Sequence, residues 1–453
     1  MLPQPSTAYL DAMREGIERR ARAAKAARAA ARKAKATALE EAESYPGQRS
    51  AWKRIATVGE SLRADLRELA FDLHDHPEEA FEEHHAAATI AALLRAHGHR
   101  VEVGVGGLAT ALRAECASPN FDPQYDPTVA ILAEYDALPG IGHGCGHNII
   151  AAAGVGAFLA ASKSIKNMDA VRGRIILLGT PAEEGHTGKE YLIRGGAFAG
   201  VDAAMMVHPF SFDLAEHAWV GRRTLTATFH GVAAHASSEP FMGRNALDAA
   251  TLAYQGFGLL RQQMPPSDRL HAIIIEGGQR PSVIPDTATM TIYVRSLMAQ
   301  TLSDLSERID AVLDGAALMA GVEVSKEWDE HPASLPVRNN HALSARWAAT
   351  QEERGRRALP GGVVPDTLAA STDFGNVSHL VPGIHPMVKI APQGVALHTR
   401  AFAEYARSEA AVDTAVDSAI GLGQVALDTL GDAPLLAAAR EEFKAAGGVL
   451  RVE

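Results

Sequence analysis

The sequence predicts an α/β protein: a doubly wound, mostly parallel sheet domain into which a smaller α+β domain is inserted. Three observations carry this. Residues 128–134 (TVAILAE), 174–180 (RIILLGT) and 203–207 (AAMMV) are short continuous apolar runs, the pattern of strands covered on both faces. Helical patterns alternate with them from 51 to about 220, as in a parallel sheet wound with helices. Near Gly221 the pattern changes to two-faced strands interleaved with helices, which marks a separate domain with one solvated sheet face.

Taken in order, residues 8–44 are rich in Ala, Arg, Lys and Glu and read as one long, mostly solvated helix ended by Pro46-Gly47. Its basic run from Arg19 to Lys35 reads as the charged face of a helix lying on the surface or on a partner subunit, rather than as a nucleic-acid arm. Segments 55–74 and 83–97 read as helices. An Ala-rich helix, 149–165, starts directly after the loop GHGCGHN at 142–148. In the inserted domain, 224–230 (TLTATFH) alternates with period two, 245–260 is helical, 271–276 and 287–294 are strands, and 301–319 is a helix. The expected divisions are an N-terminal helix at 1–50, a first sheet segment at 51–221, the inserted domain at 222–334, and a return to the first domain at 335–453.

Composition narrows the function. A net charge of −11 argues against nucleic acid and anionic membrane as partners. No run of eighteen apolar residues is present, so no membrane-spanning helix is expected. The opening MLPQPSTAYLDAMREG has no basic stretch followed by an apolar core, so no signal peptide is expected. Two cysteines, Cys116 and Cys145, cannot form a disulfide framework, and a reducing cytoplasm is the expected location.

The strand ends carry the chemistry. Carboxyl ends of parallel strands meet at one edge of an open sheet, and ligands bind there. There 128–134 runs into Tyr135, Asp136 and GHGCGHN, 174–180 into Pro181-Ala182-Glu183-Glu184-Gly185, and 203–207 into His208-Pro209. Cys145 and His147 stand two apart in a glycine-rich turn, so both can reach one ion. A thiolate and an imidazole suit several divalent metals. Of the adjacent carboxylates, Glu184 suits a ligand and Glu183 a general base next to it. Taken singly, each has a plain structural reading, with the acids at a helix N-terminus and the histidine at a strand end. Together they read as one metal site.

These segments resemble a known family. EYDALPGIGHGCGHN (134–148), TPAEEG (180–185) and VHP (207–209) are similar to motifs of the aminoacylase-type dinuclear metallopeptidases and amidohydrolases. That family includes aminoacylases, glutamate carboxypeptidases, auxin-conjugate hydrolases and p-aminobenzoyl-glutamate hydrolase. LHDHPEEAFEEHHAA (73–87), HGVAAHASSEPFMGRNALDA (230–249), VIPDTATMTIYVRS (283–296), STDFGNVSHLVPGIHP (371–386) and ALHTRAFAEYA (396–406) follow in the family's order. The likeness spans about 50–430.

The resemblance implies two divalent metal ions, zinc or manganese, held by Cys145, His147, Glu184, His208 and His398. Cys145 stands where other branches place a bridging aspartate, which implies a thiolate shared by both ions. Glu183 is implied as general base, and Asp136 as a carboxylate orienting a ligand. Glu134 is not assigned as a ligand, although one branch has a histidine there. The inserted domain is implied to be a lid and dimerisation domain. Its His235 supports the oxyanion, often from the other protomer of a dimer. Asn245 and Arg295 are implied to bind a substrate carboxylate and Ser371 to line the substrate pocket, while His74 and His76 read as structural. The expected reaction is hydrolysis of an amide in an N-acyl amino acid, a dipeptide or an aminobenzoyl-glutamate-like substrate, releasing a free amino acid. The 134–148 segment most resembles the branch with p-aminobenzoyl-glutamate hydrolase and dipeptidases acting on basic dipeptides. The alternatives are a non-catalytic amino-acid-conjugate binding protein with the same fold, and a metal enzyme acting as deaminase or acyltransferase.

Overall fold

The computed structural model describes residues 7–35 and 43–452. The chain forms two compact units. The first takes the chain up to His217, then Arg338–Leu368 and Asn376–Arg451. The second comprises Ala218–Val337 and Ala369–Gly375. The short 369–375 stretch, assigned on sequence to the returning part of the first domain, is grouped with the inserted unit.

The first unit opens with α1 (Ala8–Lys35), α2 (Gln48–Ser61), α3 (Arg63–Asp75) and α4 (His84–Ala96). Next come β1 (Val101–Val103), β2 (Leu112–Ala117), β3 (Thr128–Ala133), α5 (His147–Ile165), β4 (Arg174–Gly179), α6 (Gly188–Arg194), β5 (Ala203–Met205) and β6 (His208–Phe210). The second unit holds β7 (Gly221–His230), β8 (Ala234–His235), α7 (Ala246–Leu260), β9 (Arg269–Glu276), β10 (Val283–Ile284), β11 (Thr287–Ser296), α8 (Ala299–Ala320) and β12 (Glu323–Trp328). The chain closes with α9 (His341–Glu353), α10 (Phe374–Ser378), β13 (Gly383–Ile384), β14 (Met387–Lys389), α11 (Arg400–Ala406), α12 (Glu409–Gly431) and α13 (Ala433–Ala445).

The main sheet of the first unit has the order β1-β2-β4-β3-β5-β13. Strands β4, β3, β5 and β13 run parallel, and β2 and β1 extend that core in antiparallel sense at one edge. All six residues of β3 are buried, so both of its faces are covered. In β2, next to the edge strand β1, Leu112, Ala114 and Cys116 point inward while Arg113 and Glu115 face outward, the alternating pattern of a strand with one polar face. Helix α5 is long and apolar enough to cross a membrane, but it is buried along nearly its whole length. It packs on β3, α2, α3 and α12. Its small residues permit that approach: a Cβ on Gly154 would stand 2.7 Å from the Leu132 carbonyl oxygen.

Three elements differ from expectation. The helix expected over 8–44 is described to Lys35, and 36–42 lies outside the described residues. On the first unit, Ile17 and Ala21 of α1 are buried, and Arg20 and Arg28 donate to the Val363 and Ala358 carbonyls. The helix expected over 55–74 is two helices, broken at Leu62. There the Ser61 hydroxyl bonds back to the Val58 carbonyl at 2.7 Å, and Leu62 turns into the core. The third apolar run ends early, because the chain changes partner. Met206 N–H donates to Ile384, His208 N–H donates to Pro386, and His208 opens β6, which pairs with β14.

In the second unit, β12-β7-β11-β9 form an antiparallel sheet. Helices α7 and α8 pack against it through a core that includes Phe229, Phe257, Met290 and Ile309. Strand β9 is an edge, and its Ile273 and Ile275 are 61% and 59% exposed.

Candidate metal centre

Cys145, His147, Glu184, His208 and His398 meet in the first unit. They form two overlapping groups, each with donor atoms within 4.8 Å of one another: Cys145 with His147 and His208, and Cys145 with Glu184 and His398. Cys145 Sγ belongs to both. Glu183 joins His147 and Glu184 in a third group under the same limit.

Local backbone chemistry brings these side chains together. Thr180 bonds the Ala133 carbonyl through both N–H (2.7 Å) and hydroxyl (3.2 Å), holding the end of β4 beside the end of β3. The chain then turns through Ala182 at φ 60°, a left-handed conformation that is strained for alanine. The Ala182 N–H is satisfied at 2.8 Å by Glu83, a fully buried carboxylate that also accepts from Phe81 N–H and the Thr110 hydroxyl. Gly146, at φ 76°, caps the start of α5, and a Cβ there would stand 2.9 Å from Pro209 Cγ. That close approach sets the Cys145 loop against His208-Pro209. His398 is also left-handed (φ 61°), and its N–H donates to the Gly144 carbonyl at 3.0 Å, tying the last candidate ligand to the same loop.

The polar shell sets ring orientation. Asp136 Oδ1 accepts from His147 Nδ1 at 3.0 Å, which directs Nε2 inward, and Asp136 Oδ2 accepts from the Glu184 N–H at 2.8 Å. His208 Nδ1 donates to the Pro209 carbonyl at 2.7 Å. Such outer bonds fix the tautomer of a ligating imidazole. Burial, and then the neighbouring His147, push His208 down to about 3, so it stays neutral. At His147 burial alone favours the neutral ring, but the Asp136 carboxylate outweighs it and holds the ring well above the usual range. Burial, and then the Glu184 carboxylate, raise the Cys145 thiol well above its ordinary range; a coordinating cation reverses this by deprotonating it. Burial, and then the charge of Asp136, push Glu83 up to about 7.

The donor set fits divalent metals. His147 Nε2 and Glu184 Oε1 are buried without a hydrogen-bond partner. Around His147 stand the carboxylates of Asp136 at 3.0 Å, Glu134 at 3.5 Å, and Glu183 and Glu184 at 3.9 Å. Lys189, buried and ion-paired with Glu134, offsets one of these charges. Three carboxylates remain, and with Cys145 ionised by a cation the charge becomes that which two divalent cations would balance; burying the three carboxylates beside one imidazolium alone is costly.

The remaining candidates lie in the second unit. His235 is exposed on β8, its Nδ1 facing the N–H groups of Ser237 and Ser238. Asn245 caps α7 through an Oδ1 bond from Leu247 N–H at 3.0 Å. Arg295 lies over the Tyr293 ring at 4.7 Å. Ser371 is on the 369–375 segment. Glu134, Lys189 and Glu83 were not singled out on sequence for roles here. A lysine five residues beyond Glu184 reads as surface charge, and nothing local signals its pairing across the sheet edge.

Residues 220–318 match the family described as the peptidase dimerisation domain. The chain is 37% identical over 404 residues to the Xaa-Arg dipeptidase of Mus musculus, covering 88% of this chain and 92% of that protein. To a p-aminobenzoyl-glutamate hydrolase component of Escherichia coli (strain K12) it is 29% identical over 418 residues, covering 76% of this chain and 85% of that one. A dinuclear metal-binding peptidase of the M20 family from Bacillus subtilis shares the fold, with a TM-score of 0.64 at 20% identity, over 82% of this chain and 99% of that one.

Proposed function

Since this chain belongs to the M20 family, as a dinuclear metal-dependent hydrolase of amide bonds in small substrates, we propose that it is a dipeptidase whose substrates end in a basic residue. The observation that carries the reading is the pair of donor groups sharing Cys145, with Glu183 beside them. The basic preference rests on the 37% identity to the mouse Xaa-Arg dipeptidase across nearly the whole length of that protein.

Cys145, His147 and His208 would hold one ion, and Cys145, Glu184 and His398 the other; zinc or manganese suits this mix of sulfur, nitrogen and oxygen. When bound, such ions supply Lewis acidity to the scissile carbonyl and lower the pKa of water. Glu183 takes the proton from the attacking water on its carboxylate and returns it to the departing nitrogen. Asp136 keeps His147 in the tautomer with Nε2 facing inward. His235 supports the oxyanion. Asn245, whose Oδ1 is engaged as a cap, offers its amide group to the substrate carboxylate, together with Arg295 and Ser371.

The protein works as a homodimer assembled through its second unit, with His235 serving the partner's site. The match to a dimerisation domain supports this, as does the unpaired edge of β9 with Ile273 and Ile275 exposed. A cytoplasmic location accords with a site built on a reduced cysteine. Nucleic acid and membrane are not expected as partners.

The test is product analysis by mass spectrometry with purified enzyme, with and without chelator. The substrates are Xaa-Arg, Xaa-Lys and Xaa-Glu dipeptides, p-aminobenzoyl-glutamate and N-acetyl amino acids. Chelator-sensitive release of arginine or lysine ahead of the other products is the expected result. Preferred cleavage of p-aminobenzoyl-glutamate would replace the dipeptide reading with the one favoured by the Escherichia coli relative.

A further inference from the structure

We propose that Asp72, His76 and His85 form a third, peripheral site for a divalent transition metal, built from residues none of which belongs to the centre described above. Asp72 lies in the last turn of α3, and His76 follows four residues later as its C-cap, so both project from one face. His85 lies in the first turn of α4. One donor atom from each of the three lies within 4.8 Å of the other two. Asp72 Oδ2 stands 2.7 Å from His85 Nε2, and Asp72 Oδ1 stands 3.3 Å from His76 Nδ1. Donors arranged tetrahedrally about zinc at 2.0–2.1 Å are about 3.3 Å apart; the Asp72–His76 spacing matches this, and the Asp72–His85 pair, a direct hydrogen bond, would open by about 0.6 Å to admit an ion.

The two imidazole rings are 4.6 Å apart, centre to centre, and tilted by 46° rather than stacked flat. The same nitrogens are hydrogen-bonded to protein acceptors, His85 Nε2 to the Asp72 carboxylate and His76 Nδ1 to the Asp72 carbonyl oxygen at 2.9 Å, so an ion bound there would replace those bonds. Two imidazole rings beside a carboxylate offer a donor set of nitrogen, nitrogen and oxygen, which suits zinc, nickel or copper better than calcium or magnesium. The site is partly exposed, leaving room for water in the remaining coordination positions.

An ion there ties the end of α3 to the start of α4. Those helices flank the turn from Pro77 to Glu83, and Glu83 holds the Ala182 N–H. The peripheral site therefore braces the segment that carries this anchor.

The experiment uses the full chain with its dinuclear centre already filled, titrated with zinc chloride by calorimetry and checked by equilibrium dialysis with elemental analysis. The wild type is expected to take up one further equivalent, and its melting temperature to rise by about 2 °C at saturating zinc. The double variant His76→Ala/His85→Ala is expected to lose both effects while keeping its circular dichroism spectrum and its hydrolytic rate. Asp72→Asn, which keeps the shape of the side chain, is expected to weaken the third equivalent at least tenfold. Uptake that persists unchanged in the double variant, or no third equivalent in the wild type at millimolar zinc, overturns the proposal. Neither result bears on the dipeptidase reading, since binding is measured without substrate.

Discussion

Replacing Asp136 with asparagine tests how the candidate centre is held. The substitution keeps the volume of a fully buried side chain, so no cavity opens. Asp136 accepts two hydrogen bonds on separate oxygens, from His147 Nδ1 at 3.0 Å and from the Glu184 N–H at 2.8 Å. Asparagine has one carbonyl oxygen and one amino group, so it keeps one of these bonds and sets a donor against the other N–H. Leaving a buried donor unsatisfied costs about 1–3 kcal/mol. Because the affected groups belong to His147 and Glu184, the loss falls on metal affinity, where removing such an outer partner typically costs about 10–100-fold. The assay is competition against a chelator of known affinity at pH 7, followed by turnover at saturating metal. Weaker affinity with turnover largely restored by excess metal is expected. Metal affinity within twofold of wild type would refute the argument. The pH dependence has a definite sign. Burial opposes the ionised form of Asp136, but His147 outweighs it and holds the carboxyl below its usual range. Its contribution to stability is present above the unfolded value, near 3.9, and is lost as pH falls through the lower folded value, so the variant's stability deficit should shrink in acid.

Glu183→Gln is expected to lower the turnover number by about 10²–10⁴-fold while bound metal, measured by elemental analysis, stays at two equivalents; full activity would remove Glu183 from the role of base. Glu83 is the opposite case in sign from Asp136: its folded value is raised to about 7, so its proton is held longer in the folded state. Its contribution to stability is fullest below about 4.3 and declines as pH rises to 7, on the order of 3 kcal/mol in all. Urea unfolding between pH 5 and 7.5 should therefore give a flatter profile for Glu83→Gln than for wild type, and parallel profiles would show that Glu83 does not titrate in this window. Ile273→Glu, on the exposed edge strand β9, is expected to shift the protein toward monomer in sedimentation at micromolar concentration; an unchanged species would place the interface elsewhere.

Much of the architecture was legible in the sequence. The runs that became β3 and β4 are apolar throughout because both faces are covered, and the donors beyond them follow directly in the chain. The alternating β7 and β11 were equally clear. Strands β1 and β2 were not, because short half-polar strands near the sheet edge look like ordinary loop sequence. The same holds for β12, whose EVSKEW alternates polar and apolar without a strong apolar face. The candidacy of His398 as a ligand came only from the family resemblance. It reaches the centre through its left-handed backbone and the bond to Gly144, which no local pattern encodes. Lys189 and Glu134 were invisible for a related reason: a buried ion pair between residues 55 apart depends on how the strand ends meet, not on either neighbourhood.

The single sulfur common to both donor groups makes the two seats interdependent. Ionising Cys145 costs energy in this buried, acidic setting, and the first ion to arrive meets that cost. The second arrives at a thiolate already formed, although it also meets the charge of the first. Loading is therefore expected to depart from two independent sites, and partly loaded enzyme to be scarce or abundant according to which effect prevails. Damage is coupled in the same way. Oxidation of this one atom to the sulfinic state, which is not readily reversed, impairs both seats in one event. A filled centre would protect it, since a metal-bound thiolate is a poorer nucleophile than a free one. With Cys145 as a shared ligand, metal supply would set how long the enzyme survives oxidants as well as how fast it turns over.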